Sequence, residues 1–239
     1  MAVSNFRPVF GGSVYRSGEL TKYDPVTDTE VTSAGIKTVV DLRTSGERAA
    51  ADIPLPGTAT IIADVLADHP SASTAQLPQL LAEPEKFREA FTKIDAVGQI
   101  RQIYRELVLG DSARRGYQTL MLTIADPAKR PVLFHCTAGK DRTGWAAAAL
   151  QLLHGVSEAE IFAGYLESNG PVLQAFAPVL ERFAAKGGDP ELLLPVLSVR
   201  ADYLQAALDA MREEYQDIDG YLAKGLRLDQ STVDELRRL

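Results

Sequence analysis

The stretch Pro131-Val-Leu-Phe-His135-Cys136-Thr137-Ala138-Gly139-Lys140-Asp141-Arg142-Thr143-Gly144-Trp145-Ala-Ala-Ala-Ala-Leu-Gln-Leu-Leu153 decides the fold. It opens as a short apolar strand and closes as an apolar helix core interrupted only by Gln151. Between the two, Cys136 to Arg142 form a loop at a helix N-terminus, where unpaired backbone N–H groups and the positive end of the helix dipole converge. A dianionic phosphate is the natural ligand of that concavity. Gly139 lets the backbone turn its amides inward. Arg142 can present a planar fork to two phosphoryl oxygens, which lysine could not match. The same positive field favours Cys136 as a thiolate able to attack phosphorus. Thr143 is placed to hydrogen-bond the sulfur when it leaves. His135 is expected to order the loop through its ring nitrogens, because a thiolate already formed needs no base. A nucleotide-binding phosphate loop is excluded on spacing: Gly139-Lys140 is followed by Asp141, not by Ser or Thr.

Outward from this stretch, the chain alternates strands with helices. Ser13 to Ser17 reads as a strand after Gly11-Gly12. Thr27 and Glu30 are spaced as a capping box for a short helix that Gly35 should end. Ile36 to Leu42 is β-branched and mostly apolar, the mark of a buried strand, and Thr58 to Ala63 reads as a second one. From Asp64 to Glu83 the composition shifts to Ala, Asp, Ser, Thr, Pro and Gln without periodicity, as in a functional loop or a disordered segment. Apolar residues at three- and four-residue spacing then predict helix for roughly 40 residues from Pro84. A further helix runs from Ser112 to Asp126. After the decisive stretch everything reads as helix. Ser157/Glu160 and Ser231/Asp234 are spaced as capping boxes, and the helix from Val172 to Phe183 is expected to break near Pro178. Trp145 reads as core packing before a substrate-stacking platform, and Tyr104, Tyr117 and Tyr165 as core or lid contacts. The pattern is that of one α/β domain with a small sheet.

Composition narrows the function. The 239 residues carry 25 Lys and Arg against 32 Asp and Glu, a net charge of −7. That balance argues against nucleic acid, whose binding needs a basic face, and against docking on anionic lipid by charge alone. One cysteine permits no intrachain disulfide and no four-cysteine zinc site, and the three histidines are widely spaced, so no metal site is expected, and attack by Cys136 calls for no organic cofactor. No apolar run is long enough to span a bilayer and none near Met1 resembles a secretory signal. The default is a soluble cytoplasmic protein, or one secreted without a cleaved signal. Binding a dianion in so acidic a chain requires cations gathered locally: Arg142 and Lys140, with Arg43 or Arg16 as further candidates.

The run His-Cys-x-x-Gly-Lys-Asp-Arg-Thr-Gly resembles the signature loop of cysteine-dependent protein tyrosine phosphatases. Asn5-Phe6-Arg7, Tyr15-Arg16-Ser17-Gly18-Glu19-Leu20, Val40-Asp41-Leu42-Arg43 with Glu47, Tyr165 to Asn169, and Tyr221-Leu222 with Ser231-Thr232-Val233 extend the likeness to most of the chain. More narrowly, they are similar to a bacterial branch that includes dual-specificity and phosphoinositide-directed enzymes; Pro8 departs from the acidic residue many members carry there. The resemblance implies a four- or five-stranded, mostly parallel sheet surrounded by helices, in a single domain over residues 1–239. A helical lid belongs to that picture, and the segment 65–105 is its candidate. The implied reaction is attack by Cys136, a phosphocysteine intermediate, and its hydrolysis by water. Thr137, Ala138, Gly139, Lys140, Asp141 and Arg142 would hold the phosphoryl oxygens, with His135 and Thr143 in support.

Expelling the leaving oxygen needs an acid. Asp64, which follows the strand end Ile61-Ile62-Ala63, is the first candidate. Asp141, which resembles the loop Asp of myotubularin-type lipid phosphatases, is its rival, and Asp68 stands third. Asp41 is expected to be structural, paired with Arg43 or a loop amide. Lys140 matches a lysine of the phosphatase-and-tensin type, either drawing a second anionic group to the rim or merely solvated there. The expected substrate is a phosphorylated protein, phosphotyrosine foremost and phosphoserine or phosphothreonine besides, or alternatively a phosphoinositide. Inorganic phosphate would be product and weak inhibitor. The contrasting reading is a phosphate-binding module without turnover.

Overall fold

Five short strands form one sheet in the order β1-β2-β5-β3-β4, in a computed structural model that describes residues 3–68, 88–89 and 95–239. The strands are β1 (Arg7–Phe10), β2 (Val14–Ser17), β3 (Thr38–Asp41), β4 (Ala59–Ile62) and β5 (Val132–His135). β1 is antiparallel to β2, and the other three pairings are parallel. The expected α/β architecture, a small and mostly parallel sheet among helices, is therefore present. Side chains alternate across the sheet as a period of two dictates. Val40 and Phe134 enter the main helical core, whereas Val39 and Leu133 enter a smaller cluster with Leu20, Tyr23 and Val31.

The helices follow from the same logic. α1 (Thr29–Ser33) covers the smaller cluster through Val31, and α2 (Ala96–Leu109) buries Tyr104, Leu107 and Val108. α3 (Asp111–Ala125) buries Tyr117, Leu120 and Ile124. α4 (Asp141–Leu153) carries almost no polar face, and Trp145 to Leu150 are all buried, as befits a helix enclosed on every side. Its Trp145 indole donates to the Tyr221 hydroxyl at 3.2 Å. α5 (Glu158–Leu166), α6 (Asn169–Ala185), α7 (Ala201–Tyr215) and α8 (Gln230–Leu236) complete the shell. Among the described residues no helix is long and apolar enough to cross a membrane.

Several local expectations shift. β1 was not anticipated, because Arg7–Phe10 is half-exposed and holds a proline. β4 is an edge strand and not a buried one: Ile62 is 59% exposed. At α1 the N-cap is Asp28, not Thr27; its carboxylate is drawn away to accept from the Val3 and Asp24 amides, so no capping box forms. α8 is capped by Asp229, a stronger acceptor than Ser231, through the Thr232 amide at 2.8 Å. α6 runs unbroken through Pro178. Both Pro178 and Gln174, whose carbonyl the proline leaves unpaired, face solvent, where water satisfies the loss. Of the predicted helix from Pro84, residues 84–87 and 90–94 lie outside the described residues.

The capping box at Ser157 forms as expected, with Ser157 accepting from the Glu160 amide and Glu160 from the Ser157 amide. Ser157→Ala should cost about 1 kcal/mol in chemical denaturation, without altering catalytic constants, since α5 carries its cap on the exposed side.

Candidate active site

The register places the four parallel strand ends level: Ser17 opposite His135, His135 opposite Asp41, and Asp41 opposite Ile62. The chain leaving each strand therefore enters one shared edge, the crevice where parallel sheets gather their sites. From the central strand β5 comes the loop Cys136–Lys140, running into α4.

Donors behind the loop fix its backbone. The Thr137 carbonyl accepts from the Glu19 amide at 3.0 Å, and the Ala138 carbonyl accepts from Asn5 Nδ2 at 3.3 Å. The Gly139 carbonyl accepts from Asn5 Nδ2 at 3.2 Å and Arg16 Nη2 at 2.6 Å. In a trans peptide the N–H points opposite the carbonyl, so tying three consecutive oxygens outward turns the following amides inward. Gly139 makes the turn at φ +65°, and a Cβ there would meet the Ser17 oxygen at 2.4 Å. Asn5 itself sits at φ 60°, a region asparagine tolerates, and its Oδ1 accepts from Arg7 at 2.5 Å.

Arg142 is held by a residue to which the sequence alone assigned no role. Glu47 accepts from both guanidinium nitrogens at 2.6 Å, and also from the Thr137 hydroxyl and the Thr44 amide. Burial alone would raise the Glu47 carboxyl, but the Arg142 hydrogen bonds and charge outweigh it and bring the group down to about 2. Arg142 stays charged: the cost of burial is overcome by Cys136 and Glu47. Cys136 is buried at the loop's start, and the Thr143 hydroxyl is buried with no hydrogen-bond partner among the described residues. His135 Nδ1 lies 3.2 Å from the Cys136 carbonyl, and burial pushes the imidazole toward its neutral form.

The other predicted cations do not face the loop's concavity. Arg43 is fully buried behind the site, bonded to Asp41, Asp52 and Glu19. Its charge sits among the Asp41, Asp52 and His135 ligand atoms that could otherwise gather a metal. Asp41 is thus structural, paired with Arg43 through side chain and amide alike. Arg16 is buried under the loop, and burial brings it down to about 9. Lys140 is not a solvated rim residue. It is 8% exposed, and its Nζ donates to the Val196 carbonyl at 2.6 Å and the Ser198 carbonyl at 3.3 Å.

The three candidate acids stand in different settings. Asp64 follows β4 at the shared edge, accepts from the Leu66 amide at 3.0 Å, and lies 3.9 Å from Arg48. Asp68 is spent on capping α3, accepting from the Ser112 amide at 2.7 Å. Asp141 accepts from the Tyr104 hydroxyl at 2.6 Å and lies 3.4 Å from the Lys140 ammonium. The one O–H of Tyr104 is engaged as a hydrogen-bond donor to Asp141, so the buried Tyr165 hydroxyl 2.5 Å away donates to the Tyr104 oxygen. Of the segment 65–105, residues 69–87 and 90–94 lie outside the described residues. Val65–Asp68 and Ala96–Arg105 are packed against the body through Val65, Asp68 and Tyr104.

A profile of the tyrosine phosphatase family matches residues 2–239. The chain belongs to that family. A Cupriavidus necator protein with a provisional tyrosine-protein phosphatase name is 32% identical over 96% of this chain and 80% of its own. The triple specificity protein phosphatase PtpB of Mycobacterium tuberculosis is 31% identical over 95% of this chain and 90% of its own. A tyrosine-protein phosphatase of Nostoc commune is 27% identical over 93% and 72%. The tyrosine phosphatase expected from the signature loop is thus the family found.

In this tyrosine phosphatase, Gly139→Ala should abolish phosphate binding, read by calorimetry, because the new Cβ collides with backbone at Ser17 and Gly18 and the loop must flatten. Glu47→Gln tests the Arg142 clamp. The Glu47 carboxyl lies below its ordinary 4.5, so its stabilisation is complete above that value and fades as pH falls toward about 2. The stability difference between wild type and Glu47→Gln should accordingly be full near neutrality and vanish at the acid end.

Proposed function

We propose that the protein hydrolyses phosphoric monoesters, phosphotyrosine in proteins foremost and phosphoserine or phosphothreonine besides, through a phosphocysteine intermediate on Cys136. The observation that carries this reading is the union, on one loop, of a buried cysteine, an arginine fork and three outward-tied carbonyls. Cys136 attacks phosphorus in line with the leaving oxygen. Arg142 and the amides from Thr137 to Asp141 hold the phosphoryl oxygens, an arrangement that favours the charge of the transition state over that of the ground state. As the substrate enters, Arg142 turns part of its fork from Glu47 to phosphate, and Glu47 keeps the guanidinium planar and aimed. The unpartnered Thr143 hydroxyl is available to donate to the sulfur when it leaves.

Asp64 supplies the proton to the leaving oxygen and then takes one from the attacking water. Its place at the level strand ends supports this role. Asp141 is less suited, since the Tyr104 hydroxyl holds it at 2.6 Å and the Lys140 ammonium stands at 3.4 Å, closer than the 3.9 Å between Arg48 and Asp64. Orthophosphate leaves as product and re-binds weakly as inhibitor. No metal or organic group takes part, and the whole of 1–239 acts as one domain.

Cys136→Ser should release phosphate from p-nitrophenyl phosphate at less than about a hundredth of the wild-type rate while still binding orthophosphate. Arg142→Lys should be comparably severe, since an ammonium cannot replace the fork. Faster turnover by Cys136→Ser would overturn the covalent route.

For the acid, Asp64→Ala should lower kcat far more on alkyl phosphates than on aryl phosphates with acidic phenols, and should flatten the pH profile. The same pattern in Asp141→Ala, and not in Asp64→Ala, would move the role to the loop.

A further inference from the structure

Arg16 carries its charge into the protein interior without a carboxylate to meet it. The residue is 4% exposed, and among the described residues it forms no ion pair. Its Nη2 donates to two neutral oxygens, the Gly139 carbonyl at 2.6 Å and the Ser168 hydroxyl at 3.4 Å, while its Nε is buried with no partner among the described residues. A guanidinium so placed is costly. Tethering the loop does not by itself call for one, since Asn5 holds the same Gly139 carbonyl with a neutral amide.

The surroundings raise that cost further. A Cβ on Gly144 would meet Arg16 Nη2 at 4.0 Å, so the guanidinium lies under the first turn of α4, at the positive pole of the helix. Arg7 is close as well: the Ser168 hydroxyl accepts from both guanidinium groups, and the Arg7 charge opposes that of Arg16. Positive charge gathered at one buried point calls for an anion.

The sheet register brings one there. Arg16 stands opposite Phe134, and Ser17 opposite His135. Because side chains alternate by two, Val14 and Arg16 share a face of the sheet with Val132, Phe134 and then Cys136. Val14, Val132, Phe134 and Cys136 accordingly lie in one buried cluster. Cys136 is the next side chain diagonally across from Arg16, and an ionised sulfur there favours the charged guanidinium. The other groups nearby do not fill this role. Asp141 is held by Tyr104 and Lys140, and burial keeps the Tyr104 and Tyr165 hydroxyls protonated. On the side of the sulfur, Arg142 is already matched by Glu47, while burial holds His135 toward its neutral form and Tyr117 protonated.

Resting on the covalent reading above, we propose that Arg16 is a positioning residue for that reaction: the buried counter-charge that holds Cys136 as a thiolate from behind the loop. Each group offsets the cost of burying the other, so the nucleophile is ionised before any substrate arrives. Arg142 is left to meet the phosphate.

Cys136 is the only cysteine of the chain, so alkylation by iodoacetamide reports this thiol alone. Its rate is followed against pH in the wild type, Arg16→Lys and Arg16→Gln. Both variants carry an N–H donor for the Gly139 carbonyl, and only lysine carries the charge. At the acid end Arg16→Gln should react at least about tenfold more slowly than wild type, the two converging in alkali, whereas Arg16→Lys should stay within about threefold. In the wild type the nitrogen resonance of Arg16 Nε should move as Cys136 titrates, and that movement should vanish in Cys136→Ser. This second readout stands even where Arg16→Gln fails to fold. Equal curves for Arg16→Gln and wild type, equal losses in the two variants, or an Arg16 resonance indifferent to Cys136 would overturn the proposal. Absence of phosphate release from p-nitrophenyl phosphate by the wild type would instead overturn the phosphatase reading, which the alkylation series does not test.

Discussion

The outward tethering of the Thr137, Ala138 and Gly139 carbonyls is the constraint on which the site depends. A loop of this length has no hydrogen-bonded pattern of its own, and left free its amides would seek water. Fixing the oxygens from behind leaves the amides facing forward without any ligand to organise them, so the cost of ordering the loop is met during folding. The tethers come from three places: the N-terminal segment through Asn5, strand β2 through Arg16, and the turn after β2 through the Glu19 amide. All three converge because β2 and β5 are adjacent and in register to their last residues.

A second layer of charge makes that arrangement sustainable in an acidic chain. Three of the cations near the loop are matched: Arg142 with Glu47, Arg43 with Asp41, Asp52 and Glu19, and Lys140 with helix-end carbonyls and Asp141. Buried guanidinium groups left alone would be costly, whereas removing one partner from such a pair exposes the other to the full penalty. Glu47 illustrates the division of labour. It touches the loop through Thr137 and the fork through Arg142, and so ties the two to each other at one carboxylate.

How much of this is legible in the sequence depends on range. The loop, its flanking strand and its helix are local, and each residue type there carries one evident chemical reason. Strands β3 and β5 show because short β-branched or apolar runs bury on both faces, and β2 shows because Gly11-Gly12 precedes it. Contacts across the chain are not visible: nothing in Thr44 to Glu47 says that it meets residue 142, and nothing in Tyr104 says that it meets Asp141. Lys140 misleads because a lysine in a phosphate loop suggests an outward charge, and only the helix ending at Leu197 supplies the carbonyls that hold it. The expected caps fail where a nearby Asp competes with Thr or Ser, a contest that spacing does not settle.

The pairing of Asn5 with Ala138 and Gly139 spans 133 and 134 residues. During synthesis the segment at Asn5 must therefore wait for more than 130 further residues before the carbonyls it anchors emerge from the ribosome. Until then the signature stretch has no finished cradle to fold into, however complete its own residues are. Assembly of the candidate site is in this sense a late event, closed by an earlier-made segment meeting a later one. Long-range closure of this kind slows folding. It also means that the Cys136 thiol is not set beside Arg142 before the surrounding body exists to enclose it.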